Sequence, residues 1–307
     1  IYSAKLNLMG KTVNIVFGIL LIGLLWYFFI KPQDYQISVK AKSFPTEINT
    51  SLRAWTTSLD SASIEQLEDA KQLKQTLRFS DSTHIYLWNI SMLDDSTSYV
   101  QVDVRDPDHS LANKLLIPFM DTDFEKRSRK TVTSFIENLI EQRKDFKVTI
   151  LGEETPETAF CACVEHKTSQ SKKALAMMKS YPFLNSVIVG NGLKLNGVPF
   201  IETTEWDMKN DSIAFNFCYP IFKKDSLPEI NTVTYKEFVG LKSLKALYNG
   251  NYINSDKAWY ALLDYAEKNN VNVKPLPTEF FFTNPNMGGD ALYWKAEVFM
   301  PISDENE

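Results

Sequence analysis

The chain of 307 residues carries 33 Lys and Arg against 38 Asp and Glu, a net charge of -5, with 44% hydrophobic and 13% aromatic residues. No block of Lys or Arg concentrates positive charge, which argues against nucleic acid as the main partner. Three cysteines, Cys161, Cys163 and Cys218, are too few for a disulfide framework and wrongly spaced for a zinc knuckle, and His84, His109 and His166 are scattered, so packed thiols and no metal are expected.

Val13 to Ile30 holds one strongly polar residue, Asn14. As a helix this stretch reaches roughly 27 Å, close to the hydrocarbon thickness of a bilayer. Trp26 and Tyr27 near its end, then Lys31 and Pro32, suit an interfacial belt and a helix stop. The expectation is a single-pass transmembrane anchor within residues 1-31, with residues 13-30 in a lipid bilayer and the body exported; a cleaved signal peptide is the rival. Met9 reads as a natural start, with an upstream leader or a processed terminus equally open.

Asp34 to Lys42 alternates apolar and polar residues as a half-buried strand does. Pro45 opens a helix to Leu59 with Ile48, Leu52, Trp55 and Leu59 on one face. Ser63 to Thr76 reads as a second helical or irregular stretch, followed by strands at Leu77 to Ser80, His84 to Leu93 and Tyr99 to Arg105, the last two joined by an acidic turn at Asp94, Asp95 and Ser96. Asp123 to Asp145 is a long amphipathic helix. This order resembles the START/polyketide-cyclase superfamily over about Asp34 to Val148, which implies a curved sheet gripping a helix around an open cavity or a solid core. Gly152 to Thr158, acidic and proline-bearing, marks a boundary.

The second half repeats a pattern. Phe217-Cys218-Tyr219-Pro220-Ile221 recurs as Val298-Phe299-Met300-Pro301-Ile302, each closing an alternating strand. Pro199 to Asp207 precedes the first ending and Pro277 to Asn284 the second. Helices at Gln170 to Val187 and Ser255 to Asn269, and strands at Thr158 to His166 and Glu229 to Val239, complete two strand-helix-strand-strand units. Two such units must pack together to cover their sheet faces, leaving a groove at the seam. Alternation places Phe200, Thr204 and Trp206 with Glu202; Phe215, Phe217 and Tyr219 together; Phe281 with Glu279; and Tyr293 and Phe299 with Glu297. Any one of these aromatics alone fits a core. Three carboxylates beside them need partners, and Lys295 is one for Glu297.

The run Pro277-Thr278-Glu279-Phe280-Phe281-Phe282-Thr283-Asn284-Pro285, the closing strand Trp294 to Ile302, and Leu247-Tyr248-Asn249-Gly250-Asn251-Tyr252 before Ala258-Trp259-Tyr260 resemble the GyrI-like effector-binding family. The resemblance implies a groove for small amphipathic or cationic molecules with Glu279 as charge partner; Tyr252 is the next candidate, followed by Trp206 and Tyr219, and Phe217, Phe281, Glu202 and Glu297 complete the expected ligand-binding set. It implies a duplicated βαββ domain at 152–307, with repeats at 157–221 and 229–303, after a START-like domain at 32–151 and the transmembrane helix, an α+β fold class throughout.

Three functions stay open: a membrane-tethered binder or sensor of small molecules; a hydrolase using Glu279 and a tyrosine, Tyr252, as general base and electrophile; and a structural or interaction module whose seam is filled, leaving no pocket of about 300 Å³ or more. No nucleophile elbow, phosphate loop or dinucleotide fingerprint occurs, so no cofactor is expected.

Overall fold

The computed structural model describes residues 15–67, 71–94, 97–208 and 210–303. The chain is α+β and forms two compact units, Ile1–Leu139 and Ile140–Glu307.

At the head of the first unit, α1 covers residues 15–25 and passes into a π-helical turn at Trp26–Ile30. Among the described residues no helix is long and apolar enough to cross a membrane, so the expected single-pass anchor at 13–30 and the membrane localisation drawn from it are withdrawn. Within the described residues the regular helix, 15–25, rises about 16 Å before its hydrogen-bond pattern changes at Trp26. Val13, Asn14 and the proposed start at Met9 lie outside the described residues. The turn and the residue after it are tied down: the Tyr27 hydroxyl donates to the carbonyl of Lys114 at 3.1 Å, and Lys114 donates to the carbonyl of Lys31 at 2.5 Å.

The sheet of this unit is antiparallel, ordered β1-β5-β4-β3-β2: β1 Tyr35–Ala41, β2 Ala62–Gln66, β3 Gln72–Arg78, β4 Thr83–Met92 and β5 Ser98–Arg105. Strict alternation in β4 and β5 buries Tyr86, Trp88, Val100, Val102 and Val104 on one face. Against it pack α2, Pro45–Thr57, through Ile48 and Leu52, and α4, Asp123–Gln142, through Val132, Phe135 and Leu139. Pro45 at the first helical position of α2, and the Thr122 hydroxyl accepting from the Glu125 amide at 3.1 Å, start these helices where the sequence expects them. A short α3, Ser110–Leu116, lies between. Ser63 to Thr76, expected as a helical or irregular stretch, instead contributes to β2 and β3, which pair antiparallel; residues 68–70 lie outside the described residues. The period of two in β3 was hidden because Gln75 occupies a core position, where it accepts from the Trp88 indole at 3.1 Å and donates to Thr56 at 2.8 Å. Asp95 and Ser96 of the acidic turn lie outside the described residues.

The second unit is one eight-stranded antiparallel sheet, ordered β10-β7-β9-β8-β12-β13-β11-β6. Its strands are β6 Phe146–Glu154, β7 Ala159–Ser169, β8 Phe200–Asp207, β9 Ser212–Pro220, β10 Thr234–Phe238, β11 Ser243–Gly250, β12 Thr278–Phe281 and β13 Lys295–Pro301. The order is a palindrome about the β8–β12 pair. Each half is strand, helix, strand, strand, with α5 Lys173–Gly190 in the first and α6 Lys257–Lys268 in the second, plus one edge strand. The opening strand of the second repeat is β11. The run expected in that place, Glu229 to Val239, supplies β10, which pairs with β7 at the edge of the first half.

Both helices lie on one face, over Phe215, Phe217, Tyr248, Ala296 and Val298. The other face carries a smaller cluster of Phe200, Phe238, Phe280 and the cysteines. There Cys163 and Cys218, expected as free thiols, stand directly opposite one another in β7 and β9 and form a disulfide. Cys161 stays free, and burial pushes its thiol up to about 12.

Candidate functional site

At the centre of the palindrome Glu279 of β12 pairs with Ile201 of β8. A 3-10 turn precedes each helix, Gln170–Lys172 before α5 and Tyr252–Asn254 before α6, and the residue after each turn, Lys173 or Ser255, points to this centre. The two halves therefore contribute unlike residues at like places. Lys173 donates to one oxygen of Glu279 at 2.6 Å, and the Ser255 hydroxyl donates to the other at 2.5 Å. Lys173 also donates to Ser255 at 2.7 Å and sits 4.6 Å from the centre of the Trp259 ring. Both charged groups are buried, with side-chain exposures of 1% and 0%. A carboxylate and an ammonium taken from water need close partners, and here each Glu279 oxygen accepts one hydrogen bond while Lys173 donates two and faces the Trp259 ring.

Next to this centre, between α5, the turn at Tyr252 and the end of β12, opens a cavity of about 360 Å³. Its walls are Ala174, Met177, Met178 and Tyr181 of α5, Phe217 and Phe281 of the sheet, Tyr252, Trp294 and the loop Thr283 to Asn286. Phe281 shares its strand face with Glu279, so the pair lies behind the wall while the phenyl ring forms it. The turn that delivers Tyr252 requires Gly250. Its φ is +150°, and a Cβ there would meet Phe146 at 2.6 Å and the Tyr248 hydroxyl at 2.7 Å. The Tyr252 hydroxyl donates to the carbonyl of Lys295 at 2.8 Å and accepts from the amide of Thr283 at 3.2 Å, and burial raises its pKa. Asn284 donates to the Tyr181 hydroxyl at 2.9 Å, which fixes the loop against α5.

The residues expected at the site fall into three places. Tyr252, Phe217 and Phe281 line the cavity, with Glu279 and Tyr219 packed close behind it. Burial raises the Tyr219 pKa, reinforced by its hydrogen bond with Tyr181. Trp206 lies away from this cavity, beside α6. A bulge between Thr203 and Glu205 turns it away from Glu202 onto the helix face, where its ring meets Trp259 at 5.1 Å and Tyr260 at 5.3 Å and its indole donates to Gln170 at 2.9 Å. Glu202 and Glu297 lie on the opposite face of the sheet. Glu202 is paired with Lys236 and accepts from Asn216, beside a lesser cavity of about 140 Å³. For Glu297, burial works against ionisation, but Lys295 at 2.8 Å and Lys245 at 3.0 Å outweigh it and hold the carboxyl below the usual range. The Glu279 oxygens are held by Lys173 and Ser255, and the Tyr252 hydroxyl by the backbone of Lys295 and Thr283.

No family model matches the chain. No curated protein matches it either. Solved structures with a weak likeness include the C-terminal domain of EcmrR, at 14% identity and a TM-score of 0.44, covering 52% of this chain and 98% of that one. SAV2435 bound to tetraphenylphosphonium gives 10% identity and a TM-score of 0.34, covering 52% and 93%. A hydrolase from Listeria innocua gives 11% identity and a TM-score of 0.31, covering 53% and 98%.

Sequence reasoning missed Lys173, Ser255, Met177, Met178, Tyr181 and Trp294. Lys173 follows another lysine at the start of a helix and looks like a solvated end; only its 106-residue reach to Glu279 distinguishes it.

Proposed function

We propose that the second unit binds a small amphipathic molecule in the cavity beneath α5. The observation that carries this reading is the cavity itself. Its volume of about 360 Å³ falls within the range of small-molecule sites, roughly 300–1,000 Å³, and exceeds what a filled seam would leave. Its lining joins aromatic faces and two flexible thioethers with a few oriented polar groups, the pattern that holds an apolar body and orients a polar end.

The symmetry-related place in the other half supports the same reading by contrast. Where α5 presents Met177 and Met178, α6 presents Trp259 and Tyr260, and Trp206 packs against both. One groove is closed by its own side chains and one is left open. Titration of the full chain with Nile red, an uncharged dye that brightens in apolar surroundings, tests the proposal. Saturable binding at one dye per chain is expected, lost in Ala174→Trp, whose indole would occupy the cavity. Equal binding by wild type and a folded Ala174→Trp would overturn it.

A further inference from the structure

We propose that the ligand of this cavity is uncharged, because Lys173 already serves as the cation for Glu279. The inference rests on the binding reading above and adds the ligand's charge class to it. No Asp, Glu, Lys, Arg or His lines the cavity; the polar side-chain groups of its lining residues are the hydroxyls and amides of Tyr181, Tyr252, Thr283, Asn251, Asn284 and Asn286 and the indole N–H of Trp294, which has no hydrogen-bond partner among the described residues. The carboxylate of Glu279 stands on the same strand face as Phe281 of the wall. Its two oxygens accept from Lys173 at 2.6 Å and from Ser255 at 2.5 Å, behind a wall that leaves it 0% exposed.

A cationic ligand would therefore shed water against neutral dipoles and aromatic faces alone. It would also approach the buried Lys173 ammonium, which repels it. An anion fares no better, since the three ammonium hydrogens face Glu279, Ser255 and the Trp259 ring. Either ion would lose hydration without gaining a counter-charge, whereas an uncharged molecule loses little. The pair contributes zero net charge, and the site selects for ligands that also carry none.

The test uses three probes of one shape with the full chain at pH 8: trans-4-dimethylaminostilbene, its trimethylammonium analogue, and trans-stilbene-4-carboxylate. Wild type should bind the uncharged amine at least about tenfold more tightly than either ion. Lys173→Met frees the Glu279 charge and should raise affinity for the trimethylammonium probe about tenfold or more, with the uncharged probe nearly unmoved. Adding Glu279→Gln should remove that gain. Wild type binding the cation as tightly as the amine would overturn the inference, as would an unchanged ratio in folded Lys173→Met. Where Lys173→Met fails to fold, the wild-type comparison of the three probes decides by itself. Binding of none of the probes, with Ala174→Trp indistinguishable from wild type, would overturn the cavity reading and the charge class with it; equal binding of all three would overturn the charge class alone.

Discussion

Replacing Lys173 by Met is expected to cost the second unit about 3–5 kcal/mol, the range for stranding one member of a buried ion pair. Burial sets this magnitude. The two groups are 2.6 Å apart with exposures of 1% and 0%, so water cannot replace the lost ammonium. Glu279 would keep only the Ser255 hydroxyl, and the Trp259 face would lose a cation, a contact worth about 0.5–2 kcal/mol. Against a domain stability of about 5–15 kcal/mol, the single variant approaches the limit of folding. The double variant Lys173→Met/Glu279→Met should recover most of the loss, because apolar groups of similar volume often replace a buried pair at no cost. Ser255 then retains the carbonyl of Tyr252, already 3.0 Å away, as its acceptor. Urea unfolding with peptide-resolved hydrogen exchange over α5 and β12 isolates this unit from the other. A coupling energy above about 2 kcal/mol is expected from the cycle. Additive costs, or a single-variant loss under about 1 kcal/mol, would refute the reasoning, since that is how a solvated pair behaves.

The disulfide between Cys163 and Cys218 closes a loop with a sequence separation of 55, so Cys163→Ala/Cys218→Ala should lower stability by up to about 4 kcal/mol, measured by thermal melts with and without reductant; identical melts would exclude the bond. His84 is buried beside Phe79, Phe124 and Tyr86, and burial first of all lowers its pKa below the ordinary 6.5. The unfolded chain then binds the proton more tightly, so this contribution to stability is present above pH 6.5 and is lost as pH falls through the folded pKa. Exchange protection in β4 should drop accordingly in wild type and much less in His84→Phe, and equal slopes would exclude His84 as the cause. Gly250→Ala forces a Cβ onto Phe146 at 2.6 Å with a φ of +150°, which should cost more than about 2 kcal/mol and weaken Nile red binding by displacing Tyr252. Trp206→Ala should cost about 3 kcal/mol and open the closed groove, so that two dyes bind per chain; a stoichiometry of one would show that Trp206 does not fill it.

What could be read from sequence follows the kind of force that fixes each element. The strands β1, β4 and β5 and the helices α2 and α4 each turn a regularly spaced apolar set toward the core, and that periodicity declares them, although α2 also buries Glu47, Asn49 and Ser51. Gln75 breaks the pattern of β3 because its burial depends on Trp88 and Thr56, partners that local periodicity cannot supply. The same holds for Trp206: alternation assigns it to the face of Glu202, and one extra residue in a bulge reverses the assignment. At the site, Tyr252, Phe217 and Phe281 were legible from motif and alternation, whereas the partner of Glu279 was not, being a residue on a distant helix whose neighbours read as solvated. For residues 13–30, apolar content with Trp26, Tyr27, Lys31 and Pro32 at the end suggested a span, and the switch to π-helical pairing at Trp26 is a backbone property that composition does not encode.

The duplicated fold gives this unit two equivalent grooves and one shared centre, and the sequence has treated each differently. At the centre, identical halves would place two equal residues against each other on β8 and β12 and two more at the helix starts. Equal charges there would repel, and equal apolar groups would form a featureless core. Unlike residues, Ile201 with Glu279 and Lys173 with Ser255, convert the axis into a single ion pair. That pair joins α5 of one half to β12 of the other, so breaking it loosens the seam from which the open cavity is built. Divergence then works in opposite directions on the two sides: Trp259, Tyr260 and Trp206 fill one groove, while Met177, Met178 and Ala174 leave the other open. A chain selected for stability alone would gain by filling both, at roughly 25 cal/mol for each Å² of apolar surface removed from water. Retaining one open groove beside a fully neutralised charge centre is the arrangement expected of a site kept for an uncharged guest.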